Sequence, residues 1–327
     1  MTINLERFII IDGNAILHRA FHAMPPLTTS SGKLINAVYG FASILLKLRD
    51  GFKPEYFAVT FDLPKPTFRK KMFTGYQIKR PKMDEGLSSQ VELVKELVRV
   101  LGIPIYEMEG FEADDVIGTL VCQSRAQSSK FKVQNQVQNF KSESPEVIIV
   151  TGDKDILQLV DENTKVYMPT KGITEAILYD KDKVKEKFGF LPELIPDYKG
   201  LVGDSSDNYP GVGGIGPKTA VDLLTKFGSF EKVYNNINNV SEGVKEKLTR
   251  GKEMGELSHR LAKIVKDVPV ELDLDKCKID TFDKPEVKDF FEKMEFKSLL
   301  KRLSQQPSAN KQQKDTEKKE ENQMKMF

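Results

Sequence analysis

Three short apolar runs that each end in an acidic residue constrain this chain more than any other feature. Phe8-Ile9-Ile10-Ile11 runs into Asp12, and Tyr56-Phe57-Ala58-Val59-Thr60-Phe61 runs into Asp62. Val147-Ile148-Ile149-Val150-Thr151 runs into Gly152-Asp153-Lys154-Asp155. Strands with so little polar alternation suit a parallel sheet covered by helices on both faces. Helical patterns lie between them. One covers 37–48; another, capped by Ser88 or Ser89, lines up Val91, Val94, Leu97, Val98 and Leu101 before Gly102 stops it. Right-handed crossovers would gather the carboxyl ends of the strands along one edge, bringing Asp12, Asp62, Asp153 and Asp155 together.

Two further segments carry acids. Glu112, Asp114 and Asp115 open a stretch whose Val116, Ile117, Leu120 and Val121 read as a buried helix face. Acids at a helix start are favoured by the dipole whatever else they do. Asp204 and Asp207 lie in LVGDSSDNYPGVGGIGPKTA, where a Gly-rich hairpin from Gly211 to Gly216 opens into a helix at Pro217, Lys218 and Thr219. Amides at such a helix start are natural anion donors, while Pro217 between Gly216 and Lys218 breaks the P-loop pattern. Two carboxylates ~5 Å apart repel by about 3 kcal/mol at an effective dielectric near 20. A pocket of seven or more would need protons or cations. Oxygen ligands of this hardness select Mg²⁺ or Mn²⁺, and two such ions can flank a phosphodiester. No Ser-His-Asp or Cys-His set competes, and His18 and His22, spaced i,i+4, lack an acidic or cysteine partner in sequence for zinc.

Between Asp62 and Ser88 lies LPKPTFRKKMFTGYQIKRPKMDEG, basic, with Phe68, Phe73 and Tyr76 interleaved. Bases can stack on such aromatics while the cations track phosphates. The plainer alternative is a solvated loop whose aromatics dock on the core; its place directly after Asp62 favours a gate on a substrate. Residues 123–145 are rich in Gln, Ser and Asn and read as a long exposed loop. After Tyr179 the pattern is helical, over 181–188, 192–202 and 217–227 and onward to Leu303, with Lys245, Lys247, Arg250 and Lys252 as further phosphate contacts. From Ser304 the chain is Gln-, Lys- and Glu-rich and reads as a disordered tail.

A formal net charge of +2 in a chain with 30% charged residues means any basic surface is local. Two cysteines make no disulfide framework, no run is long enough to span a membrane and no signal peptide is visible, so the reading is cytoplasmic with no membrane partner.

The strings DGNAILHRAFHA, FDLPKPTFR, EADDVIG, TGDKDILQLV and GDSSDNYPGVGGIGPKTA together resemble the bacterial 5′–3′ exonuclease family. That family includes the N-terminal nuclease module of DNA polymerase I and its stand-alone relatives, and is similar to flap endonucleases. The resemblance covers 8–303. It implies an α/β fold, with a PIN-like parallel-sheet core over 1–175, a helical arch at about 63–90 and an all-α helix-hairpin-helix domain over 176–303. By motif, Asp12, Asp62, Glu112 and Asp114 would hold one metal, with Asp115 nearby, and Asp153, Asp155, Asp204 and Asp207 would hold or support the other. Arg19, Phe68, Arg69, Tyr76, Lys79 and Arg80 would face the scissile phosphate or the 5′ strand. Gly214, Gly216, Lys218 and Thr219 would grip the backbone of the downstream duplex, with K⁺ on the hairpin carbonyls. The family usually has lysine directly after the arch tyrosine; here that residue is Gln77, which leaves Lys79 to stand in.

The function implied is a structure-specific 5′ nuclease using two Mg²⁺ ions, acting on DNA with a 5′ flap or an RNA-primed 5′ end. The alternatives are a PIN-type single-strand ribonuclease, which a duplex-gripping hairpin disfavours, and a binding scaffold with a dead site, which intact acids in every motif disfavour. Nothing resembling a polymerase follows Leu303, so the chain reads as a stand-alone nuclease or as part of a larger protein. The string Gln323-Met324-Lys325-Met326-Phe327 resembles the pentapeptide that binds the bacterial DNA sliding clamp.

Overall fold

The computed structural model describes residues 6–134, 144–170, 172, 175–279 and 281–303. The Gln323–Phe327 string and the rest of the tail from 304 lie outside the described residues. Six strands, β1 (Arg7–Asp12), β2 (Tyr56–Thr60), β3 (Ile105–Tyr106), β4 (Glu146–Val150), β5 (Thr164–Pro169) and β6 (Ala176–Tyr179), form one sheet in the order β3-β2-β1-β4-β5-β6. Every pairing is parallel except β5 with β6. The helices are α1 (Gly13–Ala23), α2 (Asn36–Phe52), α3 (Phe68–Met72), α4 (Glu85–Val100), α5 (Ala113–Gln134), α6 (Lys181–Phe188), α7 (Ile195–Val202), α8 (Pro217–Phe227), α9 (Phe230–Asn235), α10 (Glu242–Ala262), α11 (Pro285–Lys293) and α12 (Lys297–Leu303).

The unbroken apolar run of β1 is explained by its two neighbours in the layers. Ile9 and Ile11 pack into a cluster with α1, α2, α4, α11 and α12, while Phe8 and Ile10 point into a second cluster built on α5, and all four are fully buried. The period of two along a strand splits one hydrophobic run between two cores. A third cluster, with Leu201, Val212, Leu224, Phe230 and Leu248, holds the helical domain together.

The structure differs from the sequence reading in several places. The sheet extends past residue 175, because β6 pairs with β5 as its antiparallel edge. Phe282, Val287, Phe290, Phe291, Phe296, Leu299 and Leu303 return to pack on the first core, beside α2 and α4. Helix α4 is capped by Asp84, whose carboxylate accepts from the Gly86 and Leu87 amides, and not by Ser88 or Ser89. Helix α5 runs on to Gln134, so the first half of the segment read as a loop is helix. Its polar residues are adequate helix formers.

Candidate active site

The carboxyl ends of β1, β2 and β4 meet the amino ends of α1 and α5 at one edge of the sheet. Asp12 ends β1 and caps α1, accepting from Ala15 N at 3.0 Å, while Thr151 Oγ1 donates to its other oxygen at 2.7 Å. Asp62 accepts from Ala113 N at the start of α5 (2.8 Å) and from Asn14 Nδ2 (3.0 Å). Asp153 accepts from Asp155 N at 2.8 Å, so the turn after β4 orders both acids. Glu112 and Asp114 flank the first residue of α5.

These groups feel one another. Burial, followed by the charges of Asp62 and Asp153, pushes Asp12 up to about 7. Burial pushes Glu112 up to about 7 against the pull of Arg69, with Asp115, Asp62 and Asp207 adding to the rise. Asp114 is raised well above the carboxylate range by burial and then by Asp153, Asp12, Asp62 and Glu112. Burial raises Asp62 too, opposed by the Arg80 guanidinium. This edge is therefore a field of carboxyls with too few counter-charges, and its donors are all oxygen. The residues fit a hard divalent cation.

A second group lies across the mouth of the edge. One carboxylate oxygen each of Asp155, Asp204 and Asp207 lie within 4.8 Å of one another. Asp155 follows β4, whereas Asp204 and Asp207 sit in the loop after α7. Gly203 and Gly211 close that loop with positive φ of 78° and 66°, and a β-carbon on Gly211 would come within 2.2 Å of Gly203 N. Lys199, which sequence reasoning missed, donates to both Asp155 and Asp204. Burial works against its charge, yet Asp155 and the other acids around it hold the ammonium firmly protonated. Burial still lifts Asp155 to about 6 despite Lys199, whereas Asp204 is held below the usual range by Lys199 and Ser206 against its burial. The only signal for Lys199 in the sequence was its place one turn before the end of an apolar helix, five residues ahead of Asp204.

The basic segment after Asp62 departs most from expectation. Arg69 is 2% exposed and does not face a substrate. It grips Asp115 with two hydrogen bonds (2.6 and 2.8 Å), reaches Glu112 at 3.1 Å and donates to the carbonyls of Leu261 and Lys263. Asp115 is thereby corrected as well: its oxygens are taken by Arg69 and by the amides of Glu112 and Val265, which leaves no free lone-pair face toward the edge. Tyr76 is 3% exposed, and its hydroxyl sits 3.1 Å from both Glu112 and Asp207, so it bridges acids and offers no stacking face. Phe68 is half-buried against Phe111 and the Arg69 guanidinium. Arg19 donates to the carbonyls of Thr170 and Gly172. Lys79 and Arg80 lie exposed, as do Lys65, Lys71 and Lys82, with Arg80 beside Asp62 and His18. Lys79 lies on a turn, so no helical phase carries it into the place of Gln77.

The hairpin is as expected in outline. Gly214 (φ 84°), Gly216 and Lys218 are exposed, Thr219 is half-buried, and Gly216 caps α8 with Pro217 at its first position.

A mostly parallel sheet with an acidic carboxyl edge, coupled to a helical hairpin domain, defines a PIN-type, resolvase-like nuclease fold. The chain belongs to the 5′-3′ exonuclease family: the family's N-terminal resolvase-like domain matches residues 7–189 and its C-terminal SAM fold matches 190–285. It is 41% identical over 299 residues to DNA polymerase I of Caldicellulosiruptor bescii, covering 91% of this chain and 33% of that protein. It thus spans about a third of the length of the DNA polymerase I sequences it matches. It is 38% identical over 300 residues to the 5′-3′ exonuclease of Aquifex aeolicus, covering 91% of this chain and 96% of that one. Among solved structures it shares its fold with T5 D15 protein co-crystallised with metal ions (TM-score 0.62, 18% identity, 88% of this chain and 99% of that one). The catalytic core of Rad2 in complex with DNA substrate is similar in the same sense (TM-score 0.53, 16% identity, 92% of each). Among the described residues no helix is long and apolar enough to cross a membrane.

Proposed function

We propose that this chain is a divalent-metal-dependent, structure-specific 5′ nuclease that acts on DNA flaps and RNA-primed 5′ ends during replication and repair. The observation that carries the reading is the buried edge where the ends of β1, β2 and β4 and the start of α5 gather Asp12, Asp62, Glu112 and Asp114 beside Asp153, and where burial, then neighbouring carboxylates, raise the first four above the usual carboxylate range. Asp12, Asp62, Glu112 and Asp114 would hold one ion; Asp153, Asp155, Asp204 and Asp207 would hold or support the other, beside Lys199. Mg²⁺, with Mn²⁺ as a substitute, would activate water and stabilise the leaving oxygen of a phosphodiester. The chain's own residues do the rest. Thr151 and Ala15 N orient Asp12, Ala113 N and Asn14 orient Asp62, and exposed Arg80 beside Asp62 would meet a phosphate. Gly214, Gly216, Lys218 and Thr219 would hold the duplex backbone, with K⁺ on the hairpin carbonyls. The Gln323-Met324-Lys325-Met326-Phe327 string would tether the chain to a sliding clamp, which binding of a 304–327 peptide against its Met326→Ala/Phe327→Ala form tests.

Labelled flap, single-stranded RNA and blunt duplex, each with Mg²⁺, Mn²⁺ or EDTA, test the main reading. Cleavage of the flap near its junction in Mg²⁺ and none in EDTA is expected. Cleavage in EDTA, or of single-stranded RNA alone, would overturn it.

A further inference from the structure

Gln77 stands where the resembling family usually has lysine, and it does not face outward. Its Nε2 donates to Asp207 Oδ1 at 3.0 Å and its backbone N to the Asp207 carbonyl at 2.8 Å. Tyr76 takes the other oxygen of the same carboxylate. Asn208 completes the contact by donating to the Gly75 carbonyl at 2.9 Å, and the Tyr76 ring stacks on Tyr209 at 6.3 Å. Both Gln77 (φ 52°) and Asn208 (φ 60°) adopt the left-handed conformation to make this junction. Two consecutive residues of the segment after Asp62 therefore fix both oxygens of one acid in the Asp155, Asp204 and Asp207 group.

The chemistry of the donor matters. Lys199 already places one ammonium among these three carboxylates. With all three acids ionised, the group carries a net charge of minus two, the complement of one divalent cation. A lysine at position 77 would reduce that to minus one and compete for Asp207 directly. An amide orients the carboxylate without neutralising it, as partners behind metal ligands commonly do.

We propose that Gln77 is a positioning residue for the second cation site, holding Asp207 in place as a ligand and tying the segment after Asp62 to occupancy of that site. The inference rests on the two-cation reading above. Its test is Mn²⁺ binding to the full 327-residue chain at pH 8, followed by electron paramagnetic resonance and calorimetry with no DNA present. The wild-type chain is expected to show a tighter and a weaker class of site; a single class would overturn the two-cation reading and this inference with it. Gln77→Ala is expected to weaken only the weaker class, by roughly tenfold or more, and Gln77→Lys to weaken it at least as much. Gln77→Gly relieves the backbone while removing the amide, and is expected to match Gln77→Ala. Gln77→Asn accepts the left-handed conformation readily with an amide one methylene short, and gives the same loss should the alanine chain fail to fold. A two-class isotherm within twofold of wild type in Gln77→Ala or Gln77→Asn overturns the inference and leaves the two-cation reading standing. So does a Gln77→Gly chain that binds like wild type, because the effect would then belong to the backbone.

Discussion

The Arg69 guanidinium and the Asp115 carboxylate are held out of water face to face, and besides Glu112 their partners are the distant backbone of Leu261, Lys263 and Val265. Burial opposes the charge on Arg69, and its hydrogen bonds to Asp115 with the field of Glu112 outweigh it. Removing one member of such a pair leaves the other buried and uncompensated, at a cost of about 3–5 kcal/mol. Arg69→Met is expected to destabilise by that order in urea unfolding, and Arg69→Met with Asp115→Leu to recover most of it. A loss under about 1 kcal/mol in the single variant would show that the contact is not structural. In sequence Arg69 could not be told from its basic neighbours, because its partners Leu261 and Lys263 come from another domain. Asp12, Asp62 and Asp153 were legible for the opposite reason: a strand end fixes where the next side chain goes. Asp153→Ala is expected to lower flap cleavage in Mg²⁺ by at least roughly two orders of magnitude with flap binding kept, since it takes away an acid and relieves repulsion toward phosphate. Gel-shift and single-turnover measurements on one flap separate the two effects; cleavage above a few per cent of wild type would remove Asp153 from the reacting centre.

At the scale of elements, local signals decided what could be read. β1, β2 and β4 announce themselves because both faces are covered and their central positions form an unbroken apolar run. β3 has two residues, and β5 mixes Thr164, Lys165 and Pro169 into its run, so neither shows a period. The return of α11 and α12 to the first core is a tertiary fact: Phe290 and Phe291 of α11 and Leu299 and Leu303 of α12 show that the helices are buried, not against what. Helix α8 was readable from Gly216-Pro217, since proline suits a first turn whose amides have no internal partner. Its exposed start, with Lys218 alongside, gives a prediction at this scale. Lys218→Ala should weaken binding to the duplex part of a substrate and lower the slope of log affinity against log salt by about one. Single-turnover cleavage at saturating substrate should change little. Fluorescence anisotropy between low and moderate salt checks this, and an unchanged slope would detach the hairpin from the backbone.

For the molecule as a whole, the acidic edge links protons, cations and folding. Asp12 and Glu112 are raised by burial to about 7, and Asp62 and Asp114 are raised with them. An unfolded carboxyl titrates near 4, so the folded chain binds these protons more tightly than the unfolded one. The stability they contribute is complete below about pH 4 and is lost as pH rises through about 7. One pKa unit is worth about 1.4 kcal/mol, which makes the loss on the order of a few kcal/mol, less than a simple total because the groups titrate together. Glu146, held below the usual range by Lys165 and Arg7 in spite of its burial, acts in the opposite sense and only at more acid pH. The metal-free protein should therefore melt at a higher temperature near pH 5 than at pH 8. A divalent cation takes the place of the lost protons, so its stabilisation should grow over the same interval, following the logarithm of its concentration over its dissociation constant. Thermal melts in EDTA and in Mg²⁺ from pH 5 to 8 measure both trends, and Asp12→Asn should flatten the EDTA curve. A melting temperature in EDTA that climbs from pH 5 to 8, or a Mg²⁺ shift of equal size at both ends, would mean that this edge is not a shared site for protons and metal.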